Sequence, residues 1–109
     1  MQDRKLLGAL GEELASGILY SEGYRILERN FRSYAGEVDI ICDRGNEIDF
    51  VEVKTRTGDL YGSPFQAVGR KKLETIRKVA DYYIMKTRCG KDPRIKVIGI
   101  DVREEYFDQ

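Results

Sequence analysis

The stretch GEVDIICDRGNEIDFVEVK, Gly36 to Lys54, decides the fold of this chain. At its centre DRGN supplies aspartate, glycine and asparagine, residues that tolerate a tight turn. The flanking segments, Glu37–Cys42 and Glu47–Thr55, are rich in valine and isoleucine and read as the two strands of a hairpin. Side chains alternate across a strand. Val38, Ile40 and Cys42 then share one face of the first strand, and Glu37, Asp39 and Ile41 the other. On the second, Val51 and Val53 share a face and leave Glu52 and Lys54 opposite. Parity therefore allows Asp39, Glu52 and Lys54 to meet on one side of the sheet.

Downstream, a polar loop, TRTGDLYG, leads into SPFQ, with Ser63 as N-cap, Pro64 in the first turn and Gln66 completing a capping box. The helix that follows runs to about Lys86 and carries Leu73, Ile76, Ala80, Tyr83 and Ile84 as its buried stripe. CGKDPR reads as a loop and Ile95–Val102 as a last strand. A long helix between strands makes the third and fourth parallel through a right-handed crossover. Upstream, Tyr24–Arg32 reads as a first strand. Arg4–Glu22 reads as a helix with Gly23 at its end, in which Leu7, Leu10, Leu14 and Ile18 recur at helical spacing and the stripe continues into Gly11, Ala15 and Gly8. Gly8 and Gly11 inside that helix imply close packing against a neighbour, since each costs about 1 kcal/mol relative to alanine. Glu12, at the edge of the same arc, would ride near that neighbour. The expectation is one α/β domain, residues 1–109, with a mixed sheet flanked by helices in the order α-β-β-β-α-β.

With 41% hydrophobic and 35% charged residues, the 109-residue chain has the composition of a folded domain with a densely charged surface. Formal net charge is +0 and histidine is absent, so no imidazole can ligate zinc or act as general base, and any metal would be hard and oxygen-ligated. Charge is unevenly spread: Gln66–Lys96 carries ten cations against three carboxylates. Cys42 and Cys89 read as reduced thiols, Cys42 as a buried one, and no apolar run approaches membrane-spanning length. A cytoplasmic protein with no membrane partner is expected.

Two carboxylates on adjacent strands can share Mg²⁺ or Mn²⁺, with the Val53 carbonyl as a third ligand. An ammonium beside them can orient the attacking water or stabilise charge on phosphorus. The bland alternative is a set of cross-strand charge pairs, each contributing about 0.2–1 kcal/mol. Arg70, Lys71 and Lys72 either track a phosphate backbone or solubilise the helix. Tyr82 and Tyr83 could stack on bases, though Tyr83 follows the core stripe.

The ordered set Gly8-x-x-Gly11-Glu12-x-x-Ala15, Gly23-Tyr24, Asn30-x-Arg32, Gly36-Glu37-Val38-Asp39, Phe50-Val51-Glu52-Val53-Lys54-x-Arg56, Tyr61-Gly62-x-Pro64, Ala67-Val68 and Lys72 resembles the bacterial YraN family, also called UPF0102. That family is similar to the PD-(D/E)xK, restriction-endonuclease-like superfamily and to its Holliday-junction-resolvase branch. The resemblance implies a metal-dependent nuclease acting on DNA, branched, processed or single-stranded. Its catalytic residues would be Glu12, Asp39, Glu52 and Lys54, its metal site Asp39, Glu52 and Val53, and its auxiliary residues Glu37 and Gln66. Gln66 remains equally a capping residue. Junction-cleaving relatives commonly pair as homodimers. A DNA-binding or adaptor module with little turnover is the rival expectation. The chain departs from the family at Tyr61, where phenylalanine is common, and at Lys96, where an aspartate often stands.

Overall fold

The computed structural model describes residues 4–57 and 67–102. Helix α1 (Arg4–Ser21) is followed by β1 (Arg25–Ser33), β2 (Gly36–Arg44) and β3 (Glu47–Thr57), then helix α2 (Arg70–Thr87) and β4 (Asp92–Val102). The strands form one sheet in the order β1-β2-β3-β4. The first two pairings are antiparallel and β3 runs parallel to β4, so the sheet is mixed as expected. β4 begins before Ile95: Asp92–Arg94, expected as loop, already pair with Glu47–Asp49. Pro93 is tolerated there because β4 is an edge strand, where its missing N–H interrupts no inner ladder.

Two apolar clusters cover the two faces of the sheet. On the α2 side Val38, Ile41, Ile48 and Phe50 pack against Ile76, Val79 and Ala80, with Leu73, Tyr83 and Ile84 at the margin. Tyr83 meets Phe31 edge-on at 5.3 Å and Phe50 at 5.8 Å, the packing role its position implies. On the α1 side Ile40, Cys42 and Val51 pack against Ala15, Leu19 and Tyr24. Cys42 is fully buried, and that burial pushes its thiol up to about 12.

The α1 face is narrower than the expected arc: Gly11 and Ala15 are buried as expected, the leucine side is not. Leu10, Leu14 and Ile18 are 54%, 56% and 45% exposed, while Gly11, Ala15, Ser16 and Leu19 are buried. Small residues win because they let the helix axis approach the sheet more closely than a leucine row does. At Gly11 that approach is limiting, since a Cβ there would collide with the Thr55 side chain of β3. Gly8, expected to pack in the same way, meets nothing within 4 Å.

The start of α2 also differs. Ser63, Pro64 and Gln66 lie outside the described residues. Residues 67–68 are helical, but Gly69, at φ 82°, breaks the path, and the long helix begins at Arg70 without a side-chain cap. Its C-terminus is closed by Arg88 in the left-handed region, whose N–H donates to the Ile84 carbonyl.

These contacts separate two helix glycines by experiment. Gly17 has open space around it, so Gly17→Ala should raise stability by about 0.5–1 kcal/mol in urea denaturation. Gly11→Ala should lower it despite the same gain in helix propensity, and Thr55→Ala in the same chain should recover most of the loss.

Candidate functional site

Asp39 occupies an irregular rung of the sheet. Val38 belongs to the α2-side cluster and Ile40 to the α1-side cluster, although residues two apart on a regular strand share a face. The expected grouping of Val38 with Ile40 and Cys42 therefore fails at Asp39. The neighbouring strand changes face at the same place. Arg29, paired with Ile40, bonds Glu13 of α1, whereas Phe31, paired with Val38, packs on Tyr83 of α2. Between them Asn30 takes φ 53°, a left-handed conformation that asparagine tolerates better than most residues. The β2–β3 ladder runs from Arg44–Glu47 to Ile40–Val51. One step further the Val53 N–H donates to Asp39 Oδ2 at 2.7 Å, so a carboxylate takes the place of a backbone acceptor.

That hydrogen bond leaves Asp39 accessible from both sides. From α1 comes Glu12, raised above its ordinary range by burial first and then by the Asp39 charge, with a carboxyl–carboxyl hydrogen bond favouring its protonated form. From β3 comes Glu52, pushed up to about 7 by burial and then by Asp39, with Lys72 opposing the shift. Glu12 Oε1 and Glu52 Oε1 are both buried without a hydrogen-bond partner among the described residues. Desolvated carboxylate oxygens of this kind carry a penalty of about 1–3 kcal/mol or more. A cation would relieve it. Among the described residues no three or more acidic or thiol groups form a ready-made metal cage. The donor set instead fits Mg²⁺ or Mn²⁺, which are commonly held by one or two carboxylates and complete their shell with water and substrate oxygens.

The ammonium at Glu52 comes from α2. Lys72 Nζ lies 3.7 Å from Glu52 Oε2 and donates to the Glu37 carbonyl at 3.3 Å. The sequence reading takes Lys72 with Arg70 and Lys71 either as a phosphate contact or as a solubilising face of the helix. Those two are exposed in the first turn of α2, where no acidic residue offsets three cations at the positive helix end. Lys54 is exposed and makes no hydrogen bond or ion pair among the described residues. It lines an adjoining cleft of about 480 Å³ with Arg4, Leu7, Gly8 and Val53. The Glu37 carboxylate is 3.3 Å from Arg32 and acts on Glu12 only through its charge. Gln66 lies outside the described residues. At Val53 the contact formed is by its N–H rather than its carbonyl.

The sequence reading gives Asn30 no structural role beyond its place in the family pattern and does not single out Asp49. Asp49 is fully buried on β3, and Lys96 of β4 lies 3.2 Å from its Oδ2 while donating to the Tyr24 hydroxyl at 2.9 Å. The lysine that departs from the family pattern thus has a local counter-ion. An asparagine inside an otherwise extended run was the available signal for the face change.

Fold and site together define an α/β protein with an acidic site where the central strands of a mixed sheet part. The profile of the Uncharacterised protein family UPF0102 matches residues 11–100, and the chain belongs to that family. It is 43% identical over 106 residues to a UPF0102 protein of Alkaliphilus oremlandii, covering 94% of this chain and 91% of that one. A UPF0102 protein of Moorella thermoacetica is 41% identical over 99 residues, covering 89% and 82% of the two chains. One from Clostridium botulinum strain Loch Maree is 50% identical over 82 residues, covering 75% and 67%.

The site predicts an inverted pH response. Glu52 titrates near 7 in the folded chain against an ordinary value of 4.5. The folded state therefore holds a proton that the unfolded state releases, so this group's contribution is greatest below about pH 4.5 and is lost as pH rises to about 7. Without divalent cations, Glu52→Gln should be more stable than wild type at pH 8, on the order of 1–3 kcal/mol, with the difference vanishing near pH 4. Urea midpoints across that range check it. At the irregular rung, Asn30→Gly should be tolerated, while Asn30→Val should cost about 1–3 kcal/mol in the same assay, because a β-branched residue resists positive φ.

Proposed function

We propose that this chain is a metal-dependent nuclease of the PD-(D/E)xK type that hydrolyses DNA phosphodiesters. One observation carries the reading: two buried carboxylate oxygens without a hydrogen-bond partner among the described residues, Glu12 Oε1 and Glu52 Oε1, on carboxyls that both feel the charge of a third, Asp39, held by a backbone amide. Such an arrangement destabilises the fold unless it serves to bind a cation. Asp39 and Glu52 hold the ion, with the Val53 carbonyl available as a further oxygen ligand. Mg²⁺ or Mn²⁺ bound there supplies Lewis-acid stabilisation of charge building on the phosphoryl oxygens.

The chain's own groups divide the remaining work. Glu12, protonated more readily than an ordinary carboxyl, can hold or return a proton at the edge of the Asp39 site. Lys72 offsets the Glu52 charge when no cation is bound. Lys54, exposed and without an ion-pair partner among the described residues, can meet a substrate phosphate from the adjoining cleft. The exposed Arg70 and Lys71 extend a positive surface along α2 toward the DNA backbone.

A second reading, a DNA-binding module with little turnover, is favoured by the absence of any contact between Lys54 and the carboxylates among the described residues. A cleavage panel of branched, flapped, single-stranded and duplex DNA with Mg²⁺ or Mn²⁺ separates the two. The nuclease reading expects cutting of at least one substrate, reduced about 100-fold or more in Asp39→Ala and Glu52→Ala. Loss of the Mg²⁺-induced rise in melting temperature should accompany it. Full cleavage by the double variant overturns the assignment; metal-independent binding without cleavage supports the module.

A further inference from the structure

A pair of surface tyrosines lies beyond the acidic site on the α2 side of the sheet. Tyr34, in the β1–β2 turn, is 87% exposed and meets Tyr82 edge-on at 5.6 Å. The two rings border a shallow cleft of about 300 Å³ with Lys78, Asp81 and Met85, and Met85 is itself 66% exposed. Packing does not account for the pair as it does for Tyr83, whose ring is edged between Phe31 and Phe50. A turn tyrosine this exposed gains little from burial.

A continuous path joins the rings to the carboxylates. Lys72 touches Glu52 and the Glu37 carbonyl. Gly36, next in the chain, sits so close to α2 that a Cβ would strike Thr75, and Tyr34 then reaches Tyr82. At 100° per residue, Lys71, Thr75, Lys78 and Tyr82 fall on one face of α2, and Lys72 to Tyr82 spans about 15 Å. Cations followed by open aromatic rings suit a nucleic-acid strand whose bases are unpaired. The cations track phosphate, and the rings offer stacking surfaces that a base within a duplex cannot use.

We propose that Tyr34 and Tyr82 form a base-stacking platform for a single-stranded segment of the substrate, placed to lead that segment along α2 toward Glu52. The assignment rests on the nucleic-acid reading above and deepens it. DNA with an unpaired arm or end is the substrate class, and the rings position the strand without entering the chemistry.

Fluorescence anisotropy in EDTA, with labelled oligo-dT and a duplex of equal length, tests it. Tyr34→Ala and Tyr82→Ala should each weaken oligo-dT binding about tenfold and leave duplex binding within about twofold. Tyr34→Phe and Tyr82→Phe should bind as wild type does, since stacking does not use the hydroxyl, and unchanged melting temperatures verify the fold. Wild-type oligo-dT affinity in both alanine variants, or equal loss in the phenylalanine variants, overturns the platform while metal-dependent cleavage keeps the nuclease assignment. Wild-type protein that binds neither oligonucleotide overturns the platform, and if it also cleaves none of the panel substrates with Mg²⁺ or Mn²⁺ both readings fall.

Discussion

The hydrogen bond from the Val53 amide to Asp39 holds β2 and β3 together just past the end of their ladder. A backbone N–H inside a sheet must find an acceptor, and here the acceptor is a side chain because the rung carrying Asn30 and Asp39 turns both strands from one face to the other. The consequence is geometric. An aspartate on a regular rung points to one side and is seen by one helix, whereas this one lies at the crossing between faces and feels Glu12 from α1 and Glu52 from β3.

Electrostatics at that crossing work against stability. Burial and mutual repulsion raise two of the three carboxyls, and among the described residues Lys72 supplies the opposite charge near Glu52. At 3.7 Å that pair is long, so the coulombic gain offsets the desolvation of Glu52 only in part. Contrast Asp43, where Arg25 at 2.8 Å and Lys91 at 2.7 Å hold the carboxyl below its usual range, Arg25 contributing most. The same chain satisfies one buried aspartate fully and leaves the Glu52 site short of positive charge. That difference is one of charge balance: two cations meet the Asp43 carboxylate, while one lysine at longer range meets Glu52.

Much of this was legible in the sequence. Hairpin, crossover helix and parallel last strand follow from turn residues and apolar runs, and Asp39 and Glu52 are flagged as a pair by their positions on adjacent strands. Parity failed where it assumed unbroken alternation, since a face change costs only one left-handed residue and leaves composition untouched. Periodicity drew the buried arc of α1 too wide, because a leucine stripe and a glycine–alanine stripe adjoin on the same helix at the same period and only the second is buried. Close approach to Thr55 selects the smaller one, and that choice depends on a contact 44 residues away in the chain. Lys72 is singled out by the sequence, but its approach to Glu52 is not, because the turn of α2 that faces β3 depends on where the helix starts.

The misread face of α1 bears directly on the site. Glu12 follows Gly11, the residue whose missing side chain sets how near the helix sits to β3. With a leucine row against the sheet, the axis would stand further out and Glu12 would be withdrawn into solvent, where its carboxyl would titrate as an ordinary one. The small-residue face keeps Glu12 beside Asp39, and the exposure of Leu10, Leu14 and Ile18 is the other side of the same rotation. Close helix packing and the third carboxyl of the site are therefore one feature of the sequence, read at neighbouring positions.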